Sequence, residues 1–134
     1  MSHSWALQKA LYLALASNAG LKAEIGDPPR LYDDAPAGAA LPYLLLGEAR
    51  EAPLAGHDGA FEHDLRFTAH SRHGGRREVK RVVAALYDAL QDAAIAVEGA
   101  RLVSLRFVFA DVFRRDGELY SAVVRFRAVT EALA

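Results

Sequence analysis

The longest strand-like run in the chain is Leu102-VSLRFVFADVFRRDGELYSAVVRFRAV-Thr130. Before its centre, Val103, Leu105, Phe107 and Phe109 fall on one face; after it, Tyr120, Ala122, Val124 and Phe126 do, with Ser121, Arg125 and Arg127 facing away. A period of two marks a strand with one buried side. Asp116-Gly117 between two such runs marks a two-residue hairpin. Residues 102–113 and 119–130 therefore read as paired strands.

The same logic extends upstream. Phe61, Leu65, Phe67 and Ala69 alternate with Glu62, Asp64, Arg66, Thr68 and His70, giving another half-buried strand that Gly74 and Gly75 break. From residue 76 to 94 the period changes. Val79, Val82, Val83, Leu86 and Leu90 form the stripe of an amphipathic helix, and Arg77, Lys80, Arg81, Asp88 and Asp92 take its outer side. A first helix is expected over residues 5–19, with Ser4 as its cap and Asn18 and Gly20 at its end. Its stripe of Leu7, Leu11 and Leu15 is widened nearly all round by Trp5, Tyr12 and Leu13, which implies contact on more than one side. Gly26, Pro28, Pro29, Pro36, Gly38 and Pro42 leave room only for short strand pieces at 30–33 and 43–46. Residues 47–59, with Pro53, Gly56, Asp58 and Gly59, read as a mobile segment. The order is α-β-β-β-α-β-β. One α+β domain over residues 1–134 is expected, two helices packed on one face of an antiparallel sheet.

At 134 residues such a domain buries roughly two-thirds of its unfolded surface. Sixteen basic and seventeen acidic residues give a net charge of -1, so no overall field points to nucleic acid or membrane. Cysteine is absent, which excludes a disulfide framework and thiolate metal sites. Residues 1–15 lack a basic leader region, are interrupted by Gln8 and Lys9, and are too short to span a bilayer. A soluble chain made in the cytoplasm is expected. A hydrophobic content of 52% and a mean hydropathy of +0.04 are high for a lone small domain and favour burial against partner subunits. Charge is also divided: residues 1–70 are net acidic and residues 71–134 net basic. A head-to-tail assembly can use such a division.

Residues that could carry chemistry do not converge. Of the histidines His3, His57, His63, His70 and His73, His63 and His70 fall on opposite faces of one strand and cannot share an ion. His70 and His73 flank a turn without a third ligand. All five read as solvent-exposed polar positions, and no metal site is expected. Asp33-Asp34 lies in a Pro/Gly-rich loop, and Glu62 and Asp64 lie on a solvated strand face. Neither pair has the burial that holds a general acid's proton near neutral pH. No phosphate loop or nucleophile elbow is present. Arg72, Arg76, Arg77, Lys80 and Arg81 form the strongest nucleic-acid candidate. Glu78 interrupts the run, no aromatics interleave, and arginines at a helix start oppose its dipole. A subunit interface and a solvated face are its other readings.

Arg30-Leu31-Tyr32-Asp33 is followed by Leu41-Pro42-Tyr43-Leu44-Leu45-Leu46-Gly47-Glu48, then His70-Ser71-Arg72. Gly74-Gly75-Arg76-Arg77-Glu78 opens a helix that ends Leu86-Tyr87-Asp88-Ala89-Leu90, and Leu102-Val103-Ser104-Leu105-Arg106-Phe107 and Val123-Val124-Arg125-Phe126-Arg127 close the series. In this order the sequence resembles the tail-completion family of long-tailed phages and gene transfer agents, over nearly the whole chain. It departs in having His70 where many relatives have Trp, a packing detail. The resemblance implies a non-enzymatic structural virion protein without cofactor. It implies a hexameric ring at the head-proximal end of the tail, bound to the tail tube protein on one face and to the head-proximal stopper on the other. DNA would pass through the lumen without specific binding, and no membrane is involved.

Under this reading Glu48, Arg50, Glu51, His57 and Asp58 offer polar contacts for a rim. Arg76, Arg77, Arg114, Arg115 and Asp116 supply further contacts to subunits, tube or stopper. Two other classes stay open. A head–tail adaptor or stopper would bind the portal instead, and a small-molecule enzyme or binding domain would need a pocket of convergent polar groups.

Overall fold

The first apolar segment folds as two helices, α1 (Ser4–Ala16) and α2 (Ala19–Ile25), rather than one. This computed structural model describes residues 2–72 and 75–133. Asn18 is both stop and start. Its side chain accepts a hydrogen bond from the Leu21 N–H at 2.9 Å, capping α2, while Ser17 Oγ donates to the Leu13 carbonyl at 3.0 Å and closes α1. Ser4 is not the cap of α1. His3 holds that position, and the Ser4 N–H donates to Ser2 Oγ instead.

The remaining elements are β1 (Leu31–Tyr32), β2 (Tyr43–Pro53), β3 (Ala60–Ser71), α3 (Arg76–Leu90), β4 (Ala100–Asp116) and β5 (Leu119–Ala132). The five strands form one sheet in the order β1-β2-β3-β5-β4. Among the described residues every strand pairing is antiparallel except β1 with β2, so the α+β class holds while the sheet is mixed and three helices are present.

Residues 47–53, expected to be mobile, belong to β2 and pair with β3 through Pro53–Phe61. Only residues 54–59 remain as a loop. Pro53 misled because its missing N–H matters only where a neighbouring strand needs it. Here β2 has β1 beside it only at Leu44 and Leu45, and Pro53 lies beyond that cover. The ladder shifts register between Leu46 and Ala49. Gly47 sits in that irregularity, where a Cβ would come within 2.9 Å of the Arg66 carbonyl oxygen. A side chain there would force the strands apart.

Helix α3 stops at Leu90, four residues before the expected end, because the chain turns to cover the outer edge of β4. The Asp92 N–H donates to the Leu105 carbonyl at 2.9 Å, and the Gln91 side-chain oxygen accepts from the Phe107 N–H at 2.7 Å. Strand β4 itself breaks its alternation, with register shifts at Leu102/Ser104, Phe107/Phe109 and Arg114/Asp116. An extra residue flips every following side chain to the other face. Phe109, expected inward, is therefore exposed on the helix-free face, and Ala110 and Val112 take the inner positions. Val103 is exposed for the same reason. The hairpin turn also falls one residue later than expected, since Asp116 pairs with Leu119 and Gly117 supplies the positive φ of 56°.

All three helices contribute to one core. Leu7, Leu11 and Leu15 of α1 and Val79, Val82, Leu86 and Leu90 of α3 cover Leu44, Leu65, Phe67, Val124 and Phe126 of the sheet. Phe126 sits at its centre, edge-to-face with Phe67 at 5.9 Å and with Phe107 at 5.6 Å. Phe126→Ala should cost about 3–5 kcal/mol, read as a lower denaturant midpoint at unchanged slope.

Candidate functional site

The strand directions give the molecule two distinct ends. Tyr43, Ser71 and Tyr120 lie at one, because Tyr43 pairs with His70 and Ser71 with Tyr120. Pro53, Ala60, Ala100 and Ala132 lie at the other. The expected interface residues divide between these ends. Arg76 and Arg77 open α3 beside the tip of the β4–β5 hairpin, which carries Arg114, Arg115 and Asp116; all five are exposed. His57 and Asp58 are exposed in the loop at the opposite end. Glu48 and Arg50 are exposed along β2 between them, and Glu51 is half-buried.

At the hairpin end the Arg76 guanidinium lies over the Tyr120 ring, 5.6 Å from its centre. Arg114 Nε donates to the Gly117 carbonyl at 2.7 Å. His70 belongs to this end too. It is buried, its Nδ1 lies 2.8 Å from Ser121 Oγ, and its ring packs against Tyr43 at 5.2 Å. Burial, and secondly the charge of Arg115, push its pKa below the ordinary value. His73 and Gly74 lie outside the described residues, so the His70/His73 pairing and the first glycine of that break are not described.

The sheet face without helices is concave. A hollow of about 550 Å³ opens between Arg50 and Ala52 on β2 and Val108 and Phe109 on β4. Its floor carries two cross-strand ion pairs, Arg125 to Asp64 at 2.8 Å and Arg127 to Glu62 at 2.7 Å. These are the strand-face carboxylates noted in the sequence, and each is matched by an arginine. On the far side of the molecule, α1 turns Trp5 and Leu13 outward, 65% and 68% exposed, with Lys9 over the Trp5 ring.

The histidines correct the sequence reading most sharply, since His3, His63 and His70 are buried. Thr130 Oγ1 lies 2.7 Å from His3 Nδ1 and 2.8 Å from His63 Nε2. A hydroxyl with one proton can donate to one neutral ring and accept from the other. Glu51 accepts from Ser2 Oγ at 2.7 Å and the His3 N–H at 2.8 Å, which fastens the start of α1 to β2. No periodicity links residues 3, 51, 63 and 130. The register of β2 with β3 and the docking of α1 bring them together, and only the odd spacing of His63 from His70 hinted that one of them faces inward.

Burial lowers the pKa of His63, the field of Glu51 opposes this, and that of His3 adds to it. For Glu51 burial alone would raise the pKa. The hydrogen bonds from Ser2 and His3, with the fields of His63 and His3, outweigh it and hold the carboxyl below its ordinary value. Among the described residues no three His, Cys, Asp or Glu side chains are arranged to hold a metal ion, and no helix among them is long and apolar enough to cross a membrane.

What this architecture presents is extended surface, differing from end to end, in the manner of a subunit made for assembly. The family model described as tail completion protein gp17 matches residues 9–131, and the chain belongs to that family. It is 30% identical to a chain in the solved structure of the virion of a native gene transfer agent particle, with a TM-score of 0.88 over 98% of both chains. A second solved protein, 13% identical and with a TM-score of 0.64 over 95% of this chain and 97% of its own, shares the fold. No curated protein sequence matches.

Because the folded pKa values of His63 and His70 lie below the ordinary 6.5, the unfolded chain binds protons first. Their contribution to stability is intact above that value and declines as pH falls through it. Glu51 loses its contribution only at lower pH, beneath the ordinary carboxylate value of 4.5. The melting temperature should therefore drop between about pH 7.5 and about pH 5.5, and His63→Gln should flatten the drop. An unchanged profile in His63→Gln would remove His63 from the account.

Proposed function

We propose that this chain terminates the tail tube of a phage or gene transfer agent and joins it to the head-proximal connector. The observation that carries this reading is the end-to-end match with a gene-transfer-agent virion chain, together with the family. The chain acts as a structural component of the particle, without catalysis or cofactor. Copies associate head to tail into a ring, a hexamer, each contact covering on the order of 800 Å² per partner. The exposed Trp5, Tyr12 and Leu13 of α1 are apolar surface that such contacts would cover.

A terminator must hold the tube on one side and refuse further tube rings on the other. The two unlike ends support that division, one bearing the hairpin arginines and the other the loop of His57 and Asp58. The ring encloses a lumen for DNA. Passage is easiest where cations are already neutralised, because each phosphate captured would retard movement. The pairing of Arg125 and Arg127 with Asp64 and Glu62 supports the concave face in this role.

Electron microscopy of particles made without the chain tests the proposal. Heads and tails should separate and tubes should vary in length, with joined particles restored by adding the wild-type protein. Tubes of normal length beside heads that lack a connector would make the chain an adaptor or stopper instead. Particles of normal form would end the proposal.

A further inference from the structure

Five arginines that the sequence scatters over more than forty positions meet at the hairpin end: Arg72 after β3, Arg76 and Arg77 in the first turn of α3, and Arg114 and Arg115 near the tip. All are exposed. The ion pairs among the described residues engage Arg81, Arg101, Arg106, Arg125 and Arg127, and none of the five at this end. Carboxylates are close by, Glu78 in the same turn of α3 and Asp116 and Glu118 at the tip, yet none of them forms an ion pair with these five, and Glu78 accepts from Ser71 Oγ instead. Like charges held together repel, and two of these oppose the dipole of α3. Exposed arginines without an ion pair of their own are available to an anionic partner.

Part of the cluster is held in place. Tyr120 lies beneath Arg76, and the Gly117 carbonyl fixes Arg114. Ordered guanidinium groups are suited to carboxylates, which they take in a two-pronged geometry. The surroundings favour protein over nucleic acid. Asp116 and Glu118 share the tip and would repel a phosphate backbone, while carboxylates on a folded partner can be set between them. Phe113 and Tyr120 are also partly exposed beside the arginines, apolar area that a protein interface uses and a duplex backbone does not.

We infer that the arginine end docks on an acidic protein surface at the boundary of the assembled ring, with Arg76, Arg114 and Arg115 gripping the partner's carboxylates. The inference rests on the tail-completion reading and adds which end of the subunit makes an axial contact and what chemistry it meets.

Purified tails from particles lacking the chain serve as the probe. Full-length protein is mixed with them and co-sedimented at low and high salt, and a short DNA duplex is titrated in parallel. The wild-type protein should bind tails, less so as salt rises. The triple variant R76E/R114E/R115E should lose at least about tenfold in tail binding while melting no lower than wild type. The lysine triple R76K/R114K/R115K should fall between them, since it keeps the charge and loses the fork. Arg114→Glu alone, at the tip of the hairpin, reads the same loss if the triple variant folds poorly.

Tail binding unchanged in the glutamate variants overturns the inference. So does a steeply salt-dependent duplex affinity that those variants abolish while tail binding persists, which would make this end a nucleic-acid contact. If the wild-type protein neither binds these tails nor restores joined particles, the tail-completion reading itself fails and the inference goes with it. If it restores them while the variants bind normally, only the arginine contact is wrong.

Discussion

Strands β3 and β5 pair without a break from Ala60–Glu131 to Ser71–Tyr120, and the placement of every surface depends on that register. Side chains alternate along a strand, so one register sends Leu65, Phe67, Val124 and Phe126 toward the helices. It sends Asp64, Arg125 and Arg127 to the opposite, concave face. A slip by a single residue would bury the arginines and expose the phenylalanines. The two strands are far apart in sequence, with α3 and β4 between them, so the register is set by the apolar pattern of both and not by a turn. Helix α3 then closes the core, and its first turn falls beside the hairpin tip.

Much of this was legible in the sequence. The paired strands, the 61–70 strand and the helix from Arg76 show in their periods because one side of each is buried against a single layer. Departures occur where a local feature interrupts a period. Asn18 divides a continuous apolar run because its amide can cap a new helix. The register shifts in β4 turn Val103 and Phe109 outward, and nothing in an alternating sequence marks an inserted residue. Pro53 looked like a breaker and is tolerated where β1 no longer flanks β2.

The surfaces were legible only in pieces. Arg76 and Arg114 could each be seen as charged and exposed, but their meeting at one end comes from the strand directions. The acidic residues of the 61–70 strand read as a solvated face, which is correct as to side, yet their pairing with Arg125 and Arg127 belongs to the β3–β5 ladder. The buried histidines were misread because a polar residue gives no sign of its burial when its partner, here Thr130 for His3 and His63 and Ser121 for His70, comes from a distant strand. Long-range contacts thus carry both the stability of the sheet and the features that distinguish its two ends. The two ends present different residues, while the concave side carries the Arg125–Asp64 and Arg127–Glu62 pairs.

The most direct measurement is a cryo-electron microscopy map of the intact particle that produces this chain. The account predicts six copies in a closed ring at the head-proximal end of the tube, with the two subunit ends facing different proteins. A two-fold dimer in that position, or the chain found at the distal end of the tail or inside the head, would contradict it.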